Sequence, residues 1–177
     1  MGIRVTGGVF RGRIIDSPLS NATRPTGSMA REALFNILQG ADGFAVLDLF
    51  AGSGIMGIEA VSRGAASVVA VEMNKAQAAK IKKQYQTLGI ADKLTLLEKD
   101  ALTLLGNDAY LQKFNLIYAD PPFKNMAYPD LRPFLKFLAP GGVAVFECPS
   151  RNLPEWTSEG KVRKYGESSL AMFFNEE

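Results

Sequence analysis

Asp120, Pro121, Pro122 and Phe123 follow the apolar run Phe114-Asn115-Leu116-Ile117-Tyr118-Ala119. Proline lacks an N–H donor and is kept out of strand interiors, so two in succession end a strand and stiffen the loop beyond it. A carboxylate is thereby held at a strand tip, with the Pro121 carbonyl beside it and an aromatic ring close behind. This set suits a flat base carrying an exocyclic amine. Asp120 and the Pro121 carbonyl accept the two amine hydrogens, Pro122 stiffens the tip, and Phe123 stacks on the ring. Taken alone, the tetrapeptide is also an ordinary strand-ending loop.

A second motif lies upstream. The run Phe44-Ala45-Val46-Leu47-Asp48-Leu49-Phe50 suits a buried parallel strand. It leads into Ala51-Gly52-Ser53-Gly54-Ile55-Met56-Gly57, whose glycines fit G-x-G-x-x-G, a turn that opens backbone N–H groups to a cofactor. A helical pattern follows through Ile55, Ile58, Glu59, Ala60 and Val61. The next run, Ser67 to Val71, ends at Glu72, an acid placed to bind ribose hydroxyls, with Met73 beside it. A third run, Leu94 to Leu97, leads to Asp100 and Ala101, suited to an adenine amino group. Asp48 and Phe50 shape the same pocket from the first strand, and Gly52, Ser53 and Gly54 lie along the remainder of the cofactor. The glycine turn, Glu72, Asp100 and Asp120 thus fall at the ends of four successive strands. Ligands of open α/β sheets bind at that edge.

The chain resembles the RsmD family, S-adenosylmethionine-dependent methyltransferases acting on a guanine N2 of small-subunit (16S) ribosomal RNA. The resemblance runs from Arg4-Val5-Thr6-Gly7-Gly8-Val9-Phe10-Arg11-Gly12-Arg13 through Arg24-Pro25-Thr26 and Arg31-Glu32-Ala33-Leu34-Phe35-Asn36. It continues in Asp48-Leu49-Phe50-Ala51-Gly52-Ser53-Gly54 and Asp120-Pro121-Pro122-Phe123, and ends near Tyr165-Gly166. It implies that Arg24 and Thr26 close the cofactor pocket. The family commonly has Thr-Asp after Arg-Pro-Thr, where this chain has Gly27-Ser28.

Composition limits the alternatives. The chain has no histidine and a single cysteine, Cys148, which excludes a Ser-His-Asp triad, any histidine-bearing metal site and an internal disulfide. No metal is expected. No apolar run approaches the ~20 residues that span a bilayer, and no signal-peptide pattern opens the chain, so a cytoplasmic monomer is expected. Residues 1–31 hold five arginines against Asp16, a net +4, whereas the remainder carries −2. Arginine presents a planar fork that suits phosphate. Arg4, Arg11 and Arg13 are therefore expected to grip an RNA backbone next to the active site, with Arg24 and Arg31 as weaker candidates nearer the cofactor.

These residues need positioning elements. Ile3 to Thr6 alternates, Gly7-Gly8 signals a turn, and Val9 to Ile15 resumes an extended pattern, which predicts a hairpin. Residues 28–39 and 75–88 show helical spacing. Strand and helix are expected to alternate from Phe44 to about residue 147, with Pro140-Gly141-Gly142 turning the chain into the fifth strand. Lys161–Tyr165 and Leu170–Phe174 predict a closing hairpin around Gly166. The expected fold is a Rossmann-like α/β class I methyltransferase, a mostly parallel seven-stranded sheet with an N-terminal hairpin. It forms one domain over 1–177, with hairpin and loop at 1–26 and the core at 27–177.

The favoured reading is methyl transfer from S-adenosylmethionine to an rRNA guanine N2, on RNA that is either free or within an assembled or partly assembled subunit. A DNA adenine-N6 or cytosine-N4 methyltransferase is the alternative, since Asp-Pro-Pro-Phe suits any exocyclic amine. A nicotinamide oxidoreductase is favoured only by the glycine turn, and a non-catalytic RNA-binding module only by the basic start.

Overall fold

The computed structural model describes residues 2–16, 27–122 and 128–176. A two-stranded sheet pairs β1 (Gly2–Arg4) with β2 (Ile14–Asp16). The main elements then run α1 (Ser28–Ile37), β3 (Ala45–Leu49), α2 (Ile55–Ser62), β4 (Ser67–Val71), α3 (Lys75–Thr87), β5 (Leu94–Leu97), β6 (Phe114–Ala119), β7 (Leu138–Pro149), β8 (Lys161–Tyr165) and β9 (Ser168–Phe174). The seven-stranded sheet has the order β5-β4-β3-β6-β7-β9-β8. Strands β3 to β7 are mutually parallel, and β9 runs antiparallel between β7 and β8.

The near-continuous apolar runs of β3 and β6 follow from burial on both faces. Val46, Tyr118 and Val145 face the core shared with α1, α2 and α3. Leu47, Ile117 and Phe146 alternate to the opposite face. That second face is not covered by α-helices, contrary to the expected strand–helix alternation. Single 3₁₀ turns at Ala101–Gly106, Asp108–Tyr110, Arg132–Phe137 and Glu155–Glu159 cover it instead. Phe134, Phe137, Trp156 and Phe173 supply the apolar area. Large aromatic rings bury enough surface per residue for a short turn to close the layer.

Pro140-Gly141-Gly142 also departs from expectation, since it lies inside β7 rather than before it. The register with β6 shifts there, and Gly141 takes φ +72°. A Cβ on Gly142 would stand 2.9 Å from the carbonyl oxygens of Ala139 and Phe114, so the strand continues through a glycine irregularity. The closing hairpin forms as expected, with Gly166 at φ +64°.

In the N-terminal hairpin the strands are shorter than expected, and Gly8–Phe10 is a 3₁₀ turn. The glycines serve close approach to α2 rather than a two-residue turn. A Cβ on Gly8 would fall 1.7 Å from the Ser62 carbonyl oxygen. Ser62 Oγ donates to the Gly7 carbonyl at 2.5 Å and accepts from the Phe10 N–H at 2.9 Å. Glu59 completes the attachment: its carboxylate accepts the N–H groups of Thr6 and Gly7 and the Thr6 hydroxyl at 2.7–2.9 Å.

Candidate active site

The sheet reverses direction at β3. From β3 the chain winds outward through α2, β4, α3 and β5, then returns to place β6 on the other side. Leu49 pairs with Ala119, so the glycine turn and Asp120 leave neighbouring strand tips at the crevice of the switch point.

The glycine turn owes its shape to three left-handed residues, Phe50 at φ +59°, Gly52 at +56° and Gly54 at +74°. Phe50 holds a conformation that costs a side-chain-bearing residue of order 1 kcal/mol or more. Among the bonds that hold the turn, Ala51 N–H donates to the Val71 carbonyl at 2.9 Å, and Gln84 Nε2 on α3 donates to the Ser53 carbonyl at 3.2 Å. Ser53 itself is buried, and its hydroxyl accepts the Ile55 N–H at 3.3 Å. Gly57 serves packing, since a Cβ there would stand 2.3 Å from the Tyr85 hydroxyl and 2.9 Å from Val68.

Glu72 reaches back to this turn. One carboxylate oxygen accepts the Gly52 N–H at 2.9 Å and the other accepts the Asn74 N–H at 2.8 Å. Both retain lone pairs for further donors. Met73, next in the chain, is exposed. Asp100 is exposed and caps the following 3₁₀ turn by accepting the Leu102 N–H at 2.9 Å, while Ala101 is buried behind it.

Asp48 is 1% exposed. The Gly57 N–H bonds its carboxylate, yet Oδ2 has no hydrogen-bond partner among the described residues. Burial, and then the charge of Glu72, push its pKa up to about 8. Asp120 is half-buried at the tip of β6, with Pro121 buried and Pro122 exposed. Burial lifts its carboxyl well above the usual carboxylate range, and the charges of Glu147 and Asp48 lift it further. Acids gathered in this way suit a cationic ligand.

The sequence reading overlooked Glu147, at the end of the buried run of β7. Its side chain is 4% exposed. One oxygen accepts the Tyr118 hydroxyl at 2.5 Å, and its backbone carbonyl accepts the Tyr128 hydroxyl at 2.6 Å. An acid closing an apolar strand was the available signal, the same one that singled out Glu72. Cys148 is buried beside it, and burial pushes its thiol up to about 11. Trp156 packs against Phe146, Phe173 and Tyr128.

Arg4, Arg11 and Arg13 are exposed against Asp16 alone on the described hairpin. Asp16 N–H bonds Gln84 Oε1, so the end of β2 lies near the glycine turn. The hairpin tip sits at Ser62, the far end of α2. An eight-residue helix is about 12 Å long, so Arg11 stands a helix length from the turn rather than beside it. Arg31 is a correction: it is fully buried, paired with Glu59, and unavailable to RNA. Phe123, Arg24 and Thr26 lie outside the described residues. Among the described residues no group of three or more His, Cys, Asp or Glu could hold a metal ion, and no helix is long and apolar enough to cross a membrane.

Comparison with known proteins bears on the same chain. The family described as "Conserved hypothetical protein 95" matches residues 3–174. Ribosomal RNA small subunit methyltransferase D of Escherichia coli (strain K12) is 38% identical over 123 residues, 69% of this chain and 61% of that protein. The protein of the same name from Haemophilus influenzae is 35% identical over 68% of this chain and 64% of its own length. The matched stretch therefore spans less than two thirds of these relatives. The crystal structure of a "putative methylase" from Haemophilus influenzae superposes with a TM-score of 0.80 at 28% identity, over 100% of both chains. The match along nearly the whole sequence, the relatives that share it and the common fold agree: the chain belongs to the RsmD family.

Proposed function

We propose that the protein transfers a methyl group from S-adenosylmethionine to the exocyclic N2 amine of a guanine in small-subunit ribosomal RNA. The observation that carries the reading is the set of acids at adjoining strand tips, with Asp48 Oδ2 buried and unpartnered and Asp120 at the switch point. The residues fit the cofactor. An orphaned buried carboxylate oxygen calls for a cationic donor, and the cofactor carries an ammonium and a sulfonium. Asp48, Phe50 and Gly52 to Gly54 would hold its amino-acid part, Glu72 with Met73 its ribose, and Asp100 with Ala101 its adenine. Arg24 and Thr26 join the set by family resemblance. When bound, the cofactor supplies a methyl group already activated by the sulfonium charge.

The remaining work belongs to Asp120 and its loop. A base amine is a weak nucleophile because its lone pair is delocalised into the ring. Asp120 and the Pro121 carbonyl accept its two hydrogens, favour a more pyramidal nitrogen and fix its direction, which is catalysis by orientation and electrostatics. Asp120, held more basic than an ordinary carboxylate, is suited to take the proton that the methylated amine gives up. Phe123 stacks on the base, worth about 1–3 kcal/mol, and offsets part of the cost of unstacking it.

Arg4, Arg11 and Arg13 contact phosphates along α2, so the RNA spans about 12 Å between hairpin tip and active site. The guanine N2 target rests on the motif resemblance. The protein acts as a monomer, without a metal, in the cytoplasm, on RNA within an assembled or partly assembled subunit. Small-subunit rRNA, assembled subunits and DNA are incubated separately with labelled S-adenosylmethionine, and labelled nucleotides are identified by mass. Label in N2-methylguanine of rRNA, lost in Asp120→Ala with cofactor affinity retained, is the expected result. Label in DNA alone, or a near-normal single-turnover rate in Asp120→Ala, would overturn it.

A further inference from the structure

We propose that Glu147 is a positioning residue for methyl transfer: from the neighbouring strand its clamped carboxylate directs the proton of the methylated amine to Asp120. The proposal rests on the methyl-transfer reading above.

Three observations meet at this residue. Parallel pairing of Tyr118 with Val145 and of Ala119 with Phe146 sets Glu147, still within β7, beside Asp120, the residue that follows β6. The Glu147 carboxylate is fixed by the Tyr118 hydroxyl at 2.5 Å, two residues before Asp120. The Glu147 carbonyl holds the Tyr128 hydroxyl at 2.6 Å, just beyond the loop that Asp120 opens. One residue of β7 therefore bonds Tyr118 before Asp120 and Tyr128 beyond it, through its side chain to the first and its backbone to the second.

The chemistry follows from two carboxylates sharing a poorly solvated edge. A carboxylate beside Asp120 raises the basicity of Asp120. The Tyr118 hydroxyl occupies and fixes the Glu147 carboxylate, which leaves Asp120 to take the proton. Among the described residues, the titratable groups that face Asp120 are Asp48 from β3, Glu147 and Cys148 from β7, and Tyr128. Of these, Glu147 and Asp48 raise its basicity, which supports the assignment. In the reaction, the N–H bond of the methylated amine breaks and its electron pair returns to nitrogen. The proton then bonds to an Asp120 oxygen before passing to water.

Glu147→Gln keeps the volume and an oxygen for Tyr118 but removes the charge. Tyr118→Phe keeps the Glu147 carboxylate but removes the bond that fixes it. Asp120 is titrated by carboxyl ¹³C NMR in the cofactor-free protein, and single-turnover methyl transfer is followed against pH. Both variants should lower the Asp120 midpoint, Glu147→Gln by about one pH unit, and the acid limb of the rate should move the same way. Cofactor affinity should stay unchanged. Should Glu147→Gln not fold, Tyr118→Phe decides the matter alone. An ordinary Asp120 midpoint in the unsubstituted protein, or a midpoint and acid limb unmoved in the variants, would reduce Glu147 to a structural strand-end acid. The titration needs neither RNA nor cofactor. Shifted midpoints without labelled RNA would sink the methyl-transfer reading, whereas labelled RNA with an unmoved profile would sink this inference alone.

Discussion

Arg31 Nε stands 3.2 Å from Glu59 Oε2, and neither side chain exposes any surface. Arg31 also donates Nη2 to the Arg4 carbonyl at 2.7 Å, so one guanidinium joins α1, α2 and the hairpin. Arg63 adds a second bond to Glu59 at 2.9 Å while lying over the Phe35 ring. Removing one partner of a buried pair leaves an uncompensated charge, at a cost of about 3–5 kcal/mol. Arg31→Ala should lose that much in denaturant unfolding.

The same network has a defined pH dependence. Burial opposes ionisation of Glu59, but bonds from Thr6 and Arg63 and the Arg31 charge prevail and hold its carboxyl below its ordinary 4.5. A folded acid held below its unfolded value contributes stability that is intact above the unfolded value and is lost as pH falls through the folded one. Glu59→Gln should therefore destabilise the protein most above pH 4.5, with the difference shrinking in more acidic buffer, as thermal melts across that range will measure.

Gly57 and Tyr85 form a testable pair. Gly57→Ala places a methyl group 2.3 Å from the Tyr85 hydroxyl, which has no hydrogen-bond partner. The substitution should destabilise by about 1–3 kcal/mol through overpacking. Tyr85→Phe should be neutral or stabilising, because it removes a buried unpaired hydroxyl. The double variant should recover much of the stability, and a double-mutant cycle with no coupling would refute the clash.

Asp48 should make cofactor binding proton-linked. With a folded pKa of about 8, much of it is protonated at neutral pH. A cationic group brought beside it favours the ionised form, so S-adenosylmethionine binding at pH 7 should release protons. Calorimetry in buffers of different ionisation enthalpy measures this, and Asp48→Asn should abolish the release. A raised acid lowers stability as pH climbs from its unfolded value toward the folded one. Asp48→Asn should accordingly raise the Tm more at pH 8 than at pH 5.

Arg11 and Arg13 should contribute by neutralising phosphates. For every phosphate left unneutralised, the salt dependence of RNA binding should flatten by about 0.7–0.9 log units per log unit of salt. The double alanine variant should bind RNA more weakly with a smaller slope, affect different sequences alike, and leave cofactor affinity unchanged. Wild-type affinity and slope would show these arginines to be merely solvated.

Much of this architecture is legible in the sequence. Strands β4 and β6 begin and end where their apolar runs do, because burial on both faces demands unbroken hydrophobicity and polar residues mark each end. The acids at the strand tips are legible for the same reason. Arg31 is not, since a cation whose partner lies 28 residues away reads like any surface arginine. The counterpart clue is Glu59, an acid amid Ile55, Ile58, Ala60 and Val61. Gly7-Gly8 misleads because a glycine pair signals a turn and a close backbone approach equally well, and only the neighbouring Ser62 distinguishes them. The 3₁₀ crossovers are hidden because aromatic packing, rather than helical periodicity, covers that face.

The bonds from Thr6 and Gly7 to Glu59 span more than 50 residues of chain. Pairings of such separation carry a loop-closure cost and are made late relative to local ones. Thr6 and Gly7 must therefore wait, without these bonds, until the turn and helix after β3 have formed and packed. Pulse-labelled hydrogen exchange during refolding should show the Thr6 and Gly7 amides gaining protection no sooner than those of α2, so that the hairpin seals a core already assembled rather than templating it.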